Sequence, residues 1–265
     1  MNKSMKRTIH NGIFALIILL LIGVVAVVLY LTVMSNPHNY KTIGEIPPPD
    51  GYERVEGNDY AEYLRSLPLR GRGAEVQFYT GEKRLFDIFN YAVVDIPLLS
   101  NAEQCADACM RLRAEYLFQK GLYDSIHFDA VSGKTMKYEG GHDRKAFEQY
   151  LRDVYDVANT FSLSRELKQR ALKDLQPGDI FIYSAEDRNG AAYGHAVTVV
   201  DVAQNRESGQ KAFLLAQGFL PARSIHVMRN LENLFQSPWF ILEEDAETLT
   251  LSTFSFRADE LRHFE

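Results

Sequence analysis

The chain has 265 residues, with 29 Lys and Arg against 35 Asp and Glu, a formal net charge of −6. Beyond its first forty residues it is long enough to bury a core as one domain, and its acidic balance lacks the basic footprint that nucleic-acid binding requires. Two cysteines are too few for a disulfide framework, so packing must supply the stability.

Residues 1–12 contain Lys3, Lys6 and Arg7 and are expected to form a cytoplasmic tail. From Ile13 to Met34 no side chain is charged. At roughly 1.5 Å per residue such a helix reaches about 33 Å, enough for a hydrocarbon core of roughly 30 Å. A cleavable signal has an apolar run of only about 7–15 residues before small residues at the cut, whereas Leu31-Thr32-Val33-Met34-Ser35 has no such site. Residues 13–34 are therefore expected to be an uncleaved transmembrane helix. With the positive residues held inside, the remainder crosses to the periplasmic side of a cytoplasmic membrane.

Residues 35–57, with Pro37 and Pro47-Pro48-Pro49, read as a Pro-rich linker. Residues 58–265 form the expected extracytoplasmic domain. Residues 42–265 hold 25 basic and 35 acidic residues, a net of −10, so anionic headgroups do not attract this part, and its membrane contact is expected through one helix alone.

The elements read as α+β. Asn58 can cap a short helix that ends before Pro68. Glu75–Tyr79 and Tyr91–Ile96 resemble strands, and Ser100-Asn101-Ala102-Glu103 fits a capping box for a helix reaching Gln119. Ile126–Phe128 and Thr135–Tyr138 form a hairpin pattern. A helix from about Asp143 to Ala158 buries one stripe, and a shorter one follows Ser162. After Pro177-Gly178, Asp179–Tyr183, His195–Ala203, Lys211–Phe219, Ile225–Met228 and Leu249–Phe256 read as strands. Helices early and strands late predict a mainly antiparallel sheet in the second half.

Cys105 and Cys109 are four apart on the predicted helix, where Cβ atoms lie about 5–6 Å apart, too far for a disulfide. Both are expected as free thiols, Cys109 as a packed core group. A nucleophilic Cys gains from a helix N-terminus and a nearby imidazole; with Ser100 as cap, Cys105 would be the fifth helical residue. Among the histidines, His195 follows Gly194 at the start of a strand. Asp201 is about 20 Å further along that strand and cannot orient it. If Ala203 pairs with Lys211, His195 faces Phe219 and Gln217 is its diagonal neighbour; a one-residue slip removes Gln217. A metal site from His127, His195 and His226 is the weaker use of these residues, and no metal or other cofactor is expected.

The segments EQCADACMRLRAEYL, LQPGDIFIYS, YGHAVTVVDVA and FLLAQGFLPARSIHVMRN resemble the bacterial family catalogued as domain of unknown function 4846, over roughly Pro48 to Glu265. The family pattern matches Cys105 and departs at Cys109, and it implies no activity. The order Cys105, Pro177-Gly178-Asp179, Gly194-His195, Gln217 also resembles NlpC-type cell-wall peptidases of the papain-like group. That likeness implies a papain-like domain with Cys105 as nucleophile, His195 as general base and Gln217 orienting the imidazole. Asp179 would be a turn residue. Two readings follow: a tethered Cys/His hydrolase of amide bonds in cell-envelope peptides, or a non-catalytic envelope binding or structural module with the same core.

Overall fold

The computed structural model describes residues 3–33, 35–84, 87–188 and 191–265. The apolar run folds as α1 (Lys3–Val33). Within it, His10–Val28 has a mean hydropathy of 2.9 and no burial against the rest of the chain. Apolar on every side, it is long and hydrophobic enough to cross a membrane.

The segment expected as a linker is packed instead. Ser35 and Asn36 have no exposed surface, and Ile43 and Ile46 are buried in the core. Asn36 donates its amide to Tyr91 O (2.5 Å), and its side chain donates to Tyr40 O (2.8 Å) and Arg70 O (2.9 Å). Strand β1 (Tyr52–Arg54) then joins the main sheet. The isoleucines therefore belong to the core of the domain, and the segment is part of it. Composition conveys only the stiffness of the prolines.

Asn58 caps α2 (Asp59–Ser66), accepting from the Ala61 amide (2.9 Å). Strand β2 (Asn90–Val93) precedes α3 (Cys105–Gln119), and the hairpin β3 (His127–Asp129) and β4 (Thr135–Lys137) precedes α4 (Arg144–Tyr155) and α5 (Thr160–Glu166). Then come β5 (Lys168–Gln169), β6 (Ile180–Tyr183), β7 (His195–Asn205), β8 (Lys211–Gln217) and β9 (His226–Met228). The chain ends with β10 (Phe240–Ile241), β11 (Thr248–Leu251), β12 (Phe254–Arg257) and β13 (Leu261–His263). The main sheet runs β2-β9-β8-β7-β6-β13-β5, with β1 on β7 and β10 on β8, and every pairing in it is antiparallel.

Two expected strands differ. Around Glu75–Tyr79 there are only isolated bridges, Gln77 to Lys83 and Phe78 to Arg223. The single strand expected over Leu249–Phe256 is the hairpin β11–β12, turned at Ser252, whose φ is +61°. Both of its arms are apolar enough to read as one continuous strand.

The sheet is covered on both faces, which explains why β7 and β8 are almost wholly buried. One face carries Ala196, Val200, Leu214 and Ala216 under the helices. The other carries Phe181, Val197, Val199, Phe213 and Leu215 under the C-terminal hairpin.

The β7–β8 register decides the site. At the turn Ala203 pairs with Ala212 and Gln204 with Lys211, one residue off the expected alignment. Val200 then forms a bulge between Val199 and Asp201, and beyond it Val199 pairs with Leu215 and Thr198 with Ala216. The extra residue cancels the slip, so the expected alignment holds where β7 begins.

Candidate functional site

The first turn of α3 is set by Gln104, not Ser100. The Gln104 amide donates to Asp107 Oδ2 (2.8 Å), and helical bonding begins with Ala108 N to Gln104 O (3.0 Å). Ser100 to Ala102 form a preceding turn, in which Glu103 reaches back to the Leu99 amide (2.8 Å). Glu103 is 1 % exposed and faces the buried Arg111 guanidinium at 3.5 Å. That ion pair and the Leu99 amide occupy Glu103 in place of a cap. Cys105 is therefore the first helical residue, where the partial positive charge of the helix end is strongest.

Two glycines let the sheet approach this turn. A Cβ on Gly218 would lie 2.7 Å from Gln104 O and 2.8 Å from Ala108 Cβ. A Cβ on Gly194 would lie 2.1 Å from Thr160 Oγ1 and 2.7 Å from Tyr183 O. Any larger side chain would push β8 from α3, or β7 from α5.

Both cysteines are free thiols. Cys109 is 1 % exposed, and its Sγ–H donates to Cys105 O (3.4 Å). Burial pushes its thiol up to about 12. Cys105 is 8 % exposed; burial pushes its thiol up to about 11, and the nearby Ala196 backbone amide opposes that rise. The Cys105 thiol thus rests beside the residue that follows His195.

The His195 ring stacks on Phe254 with centroids 3.7 Å apart, and Phe219 stands edge-on at 5.5 Å. Its Nε2 lies 3.0 Å from Gln217 Oε1. Gln217 pairs directly with His226 across β8 and β9, and its Nε2 lies 3.2 Å from His226 Nε2. His226 Nδ1 lies 3.0 Å from Ser224 O. Burial holds both imidazoles down to about 4, so both are neutral near pH 7.

The proton positions in this chain follow from its last member. The Ser224 carbonyl only accepts, so His226 Nδ1 carries the hydrogen and its Nε2 is a lone pair. Gln217 must then offer its NH2 to His226 and its oxygen to His195. His195 consequently donates from Nε2, which leaves Nδ1 as the basic nitrogen. A main-chain carbonyl two strands away selects the tautomer of His195.

Cys105 and His195 both border a cavity of about 870 Å³, with Asp107, Tyr155, Tyr183 and Phe254 among its other walls. This lies within the usual range for small-ligand pockets, roughly 300–1,000 Å³. Gln217 sits behind His195 and is 2 % exposed.

A family described as domain of unknown function (4846) matches residues 43–142 and 138–263. The chain belongs to that family. No curated protein and no solved structure matches it.

In this member of domain of unknown function (4846), Cys105 falls in the first matched segment, and His195, Gln217 and His226 fall in the second. Asp179 accepts from the Gln176 amide (2.8 Å) and pairs with Arg170 (2.9 Å), which makes it a turn residue at the head of β6. Asp201 is fully buried between Arg54 (2.6 Å) and Arg65 (2.8 Å), tying β1 and α2 to β7. His127 stands apart on the β3–β4 hairpin, 3.7 Å from Glu166, and borders a different cavity. In sequence, His226 is visible only as a strand histidine. Its direct pairing with Gln217 depends on the β8–β9 register, and no local pattern announces that. Phe254 is hidden within a stretch that reads as one strand and folds as a hairpin.

Proposed function

We propose that this chain is a membrane-tethered Cys/His hydrolase of amide bonds, built on a papain-like core. The observation that carries this reading is that a thiol at the first residue of α3 and an imidazole whose basic nitrogen is preset border one cavity.

The resting pair is neutral, since burial raises the thiol and depresses the imidazole. Proton transfer therefore accompanies attack. His195 Nδ1 takes the Cys105 proton as the S–C bond forms to the substrate carbonyl carbon. The Gln217 oxygen holds the imidazolium that results. Amides at the start of α3 lack carbonyl partners four residues earlier and favour the developing oxyanion. The imidazolium returns its proton to the leaving amine as the C–N bond breaks. Water, deprotonated by the same nitrogen, then releases the carboxylic acid and restores the thiol.

The tether is α1, retained and uncleaved, with the domain on the outer side of a cytoplasmic membrane. An enzyme held there meets cell-envelope peptides, the substrate class proposed. The competing reading, a non-catalytic envelope module, draws on the thiol's burial. An electrophilic peptide probe separates them. A hydrolase reacts at Cys105 far faster than a free thiol, and His195→Ala removes that advantage. A core thiol reacts only when the domain is unfolded.

A further inference from the structure

Two features at the N-terminal end of the domain have no part in the cavity chemistry. The first is the join between α1 and the domain. Only Met34 separates Val33 from Ser35, so their Cα atoms lie at most about 7 Å apart. Ser35 and Asn36 are locked at once: Gly73 donates to Ser35 O (2.8 Å), Asn90 donates to Ser35 Oγ (3.1 Å), and Asn36 donates to Tyr91 O (2.5 Å). The domain therefore cannot swing away from the helix end on a spacer.

The second feature is the loop after Asn230. Phe235 is fully exposed (103 %) and Leu234 half exposed (49 %). The loop is held in shape: Asn230 Oδ1 accepts from the Glu232 and Asn233 amides (3.0 Å each), and Asn233 Oδ1 accepts from the Phe235 amide (3.1 Å). A structured turn that presents a bare phenyl ring to water is costly unless something covers it. Phe235 borders a cavity of about 410 Å³ together with His38, Tyr40 and Tyr91. It thus stands within a cavity's width of the point where the chain leaves α1. Tyr30 of α1 also lies within electrostatic reach of Arg229, the residue before this loop.

We infer that the Leu234–Phe235 loop dips into the lipid headgroup and acyl boundary beside α1, seating the domain directly on the membrane as a second contact. This rests on α1 being retained as an anchor. The occupant is lipid because the helix that enters the bilayer ends at the same edge of the domain, and the join leaves no slack. The loop's polar side chains are three amides, Asn230, Asn233 and Gln236, one hydroxyl, Ser237, and one carboxylate, Glu232, with no basic residue. Insertion is therefore apolar in origin and independent of anionic lipid.

The test uses the full chain bearing Phe235→Trp in phosphatidylcholine vesicles. The wild type is the blank, since its only tryptophan, Trp239, is 2 % exposed. Emission from the introduced indole is expected to be quenched by lipids brominated high on their acyl chains and shielded from aqueous iodide. Iodide quenching as free as that of a tryptophan amide in solution, with no effect of bromine, overturns the inference. Shielding from both quenchers overturns it as well, because a second copy or a partner protein then covers the loop. The anchor is read separately, by whether an N-terminal tag stays with the domain in native membranes. A lost tag refutes the anchor, whereas an intact tag with a water-exposed indole refutes only the seating.

Discussion

Cys105 and Cys109 differ by one helical turn, yet they occupy different chemical situations. Cys105 is the first helical residue, borders a cavity and lies near the Ala196 amide, next to His195. Cys109 packs in the core, and its thiol is spent on the carbonyl of Cys105. Both are held protonated by burial, so acidity does not separate them. Access to the cavity that His195 also borders does. A buried thiol is a small hydrophobe until a preset acceptor stands beside it.

The largest effect that would sharpen this contrast is on bond cleavage. Cys105→Ala is expected to lower hydrolysis of envelope peptides by about 10³-fold or more, and Cys109→Ala by less than about 3-fold. Equal losses in kcat/KM would break the contrast. Next comes the orienting chain. Gln217→Leu and His226→Leu each leave the thiol in place but free the His195 tautomer. A loss of about 10²-fold is expected for Gln217→Leu and about 10-fold for His226→Leu. His226→Gln, which keeps an acceptor for the Gln217 NH2, restores most of the rate.

Acid sensitivity follows from the depressed imidazoles. His195 takes a proton in the unfolded chain near pH 6.5 but in the folded chain only near 4. The unfolded state therefore binds more protons between those values, and stability falls as pH drops through that window. Asp179 and Glu166, both raised to about 7 by burial, act in the opposite direction over much of the same range. A difference measurement isolates the histidine. Between pH 7 and pH 5, His195→Asn is expected to lose about 2 kcal/mol less than the wild type, by urea unfolding at each pH. The smallest effect is on packing. Cys109→Ala is expected to cost about 1 kcal/mol at pH 7 through the gap it leaves near Thr198, measured by the same unfolding curves.

Much of this arrangement was legible, and the exceptions have physical causes. Cys105, His195 and Gln217 stand out because chain order and strand parity are local properties. The contact between His195 and Gln217 also needs a register, and the alignment expected from the turn is one residue off. Val200 corrects it, and a single valine within an all-apolar strand has no mark to distinguish a bulge from a paired residue. Ser100-Asn101-Ala102-Glu103 carries a proper cap signature, but Glu103 is captured by Arg111, eight residues on. Segment 35–57 reads as a spacer because its prolines are conspicuous, whereas burial of Ile43 and Ile46 depends on partners far along the chain.

The central claim is that His195 rests neutral with its lone pair on Nδ1, on the cavity that the Cys105 thiol borders. Nitrogen-15 NMR of histidine-labelled full-length protein at pH 7 reads this directly. The account predicts a pyridine-type Nδ1 and a pyrrole-type Nε2 for His195, with the reverse pair for His226. A protonated Nδ1 on His195 would contradict it, because that ring could not accept the proton of Cys105.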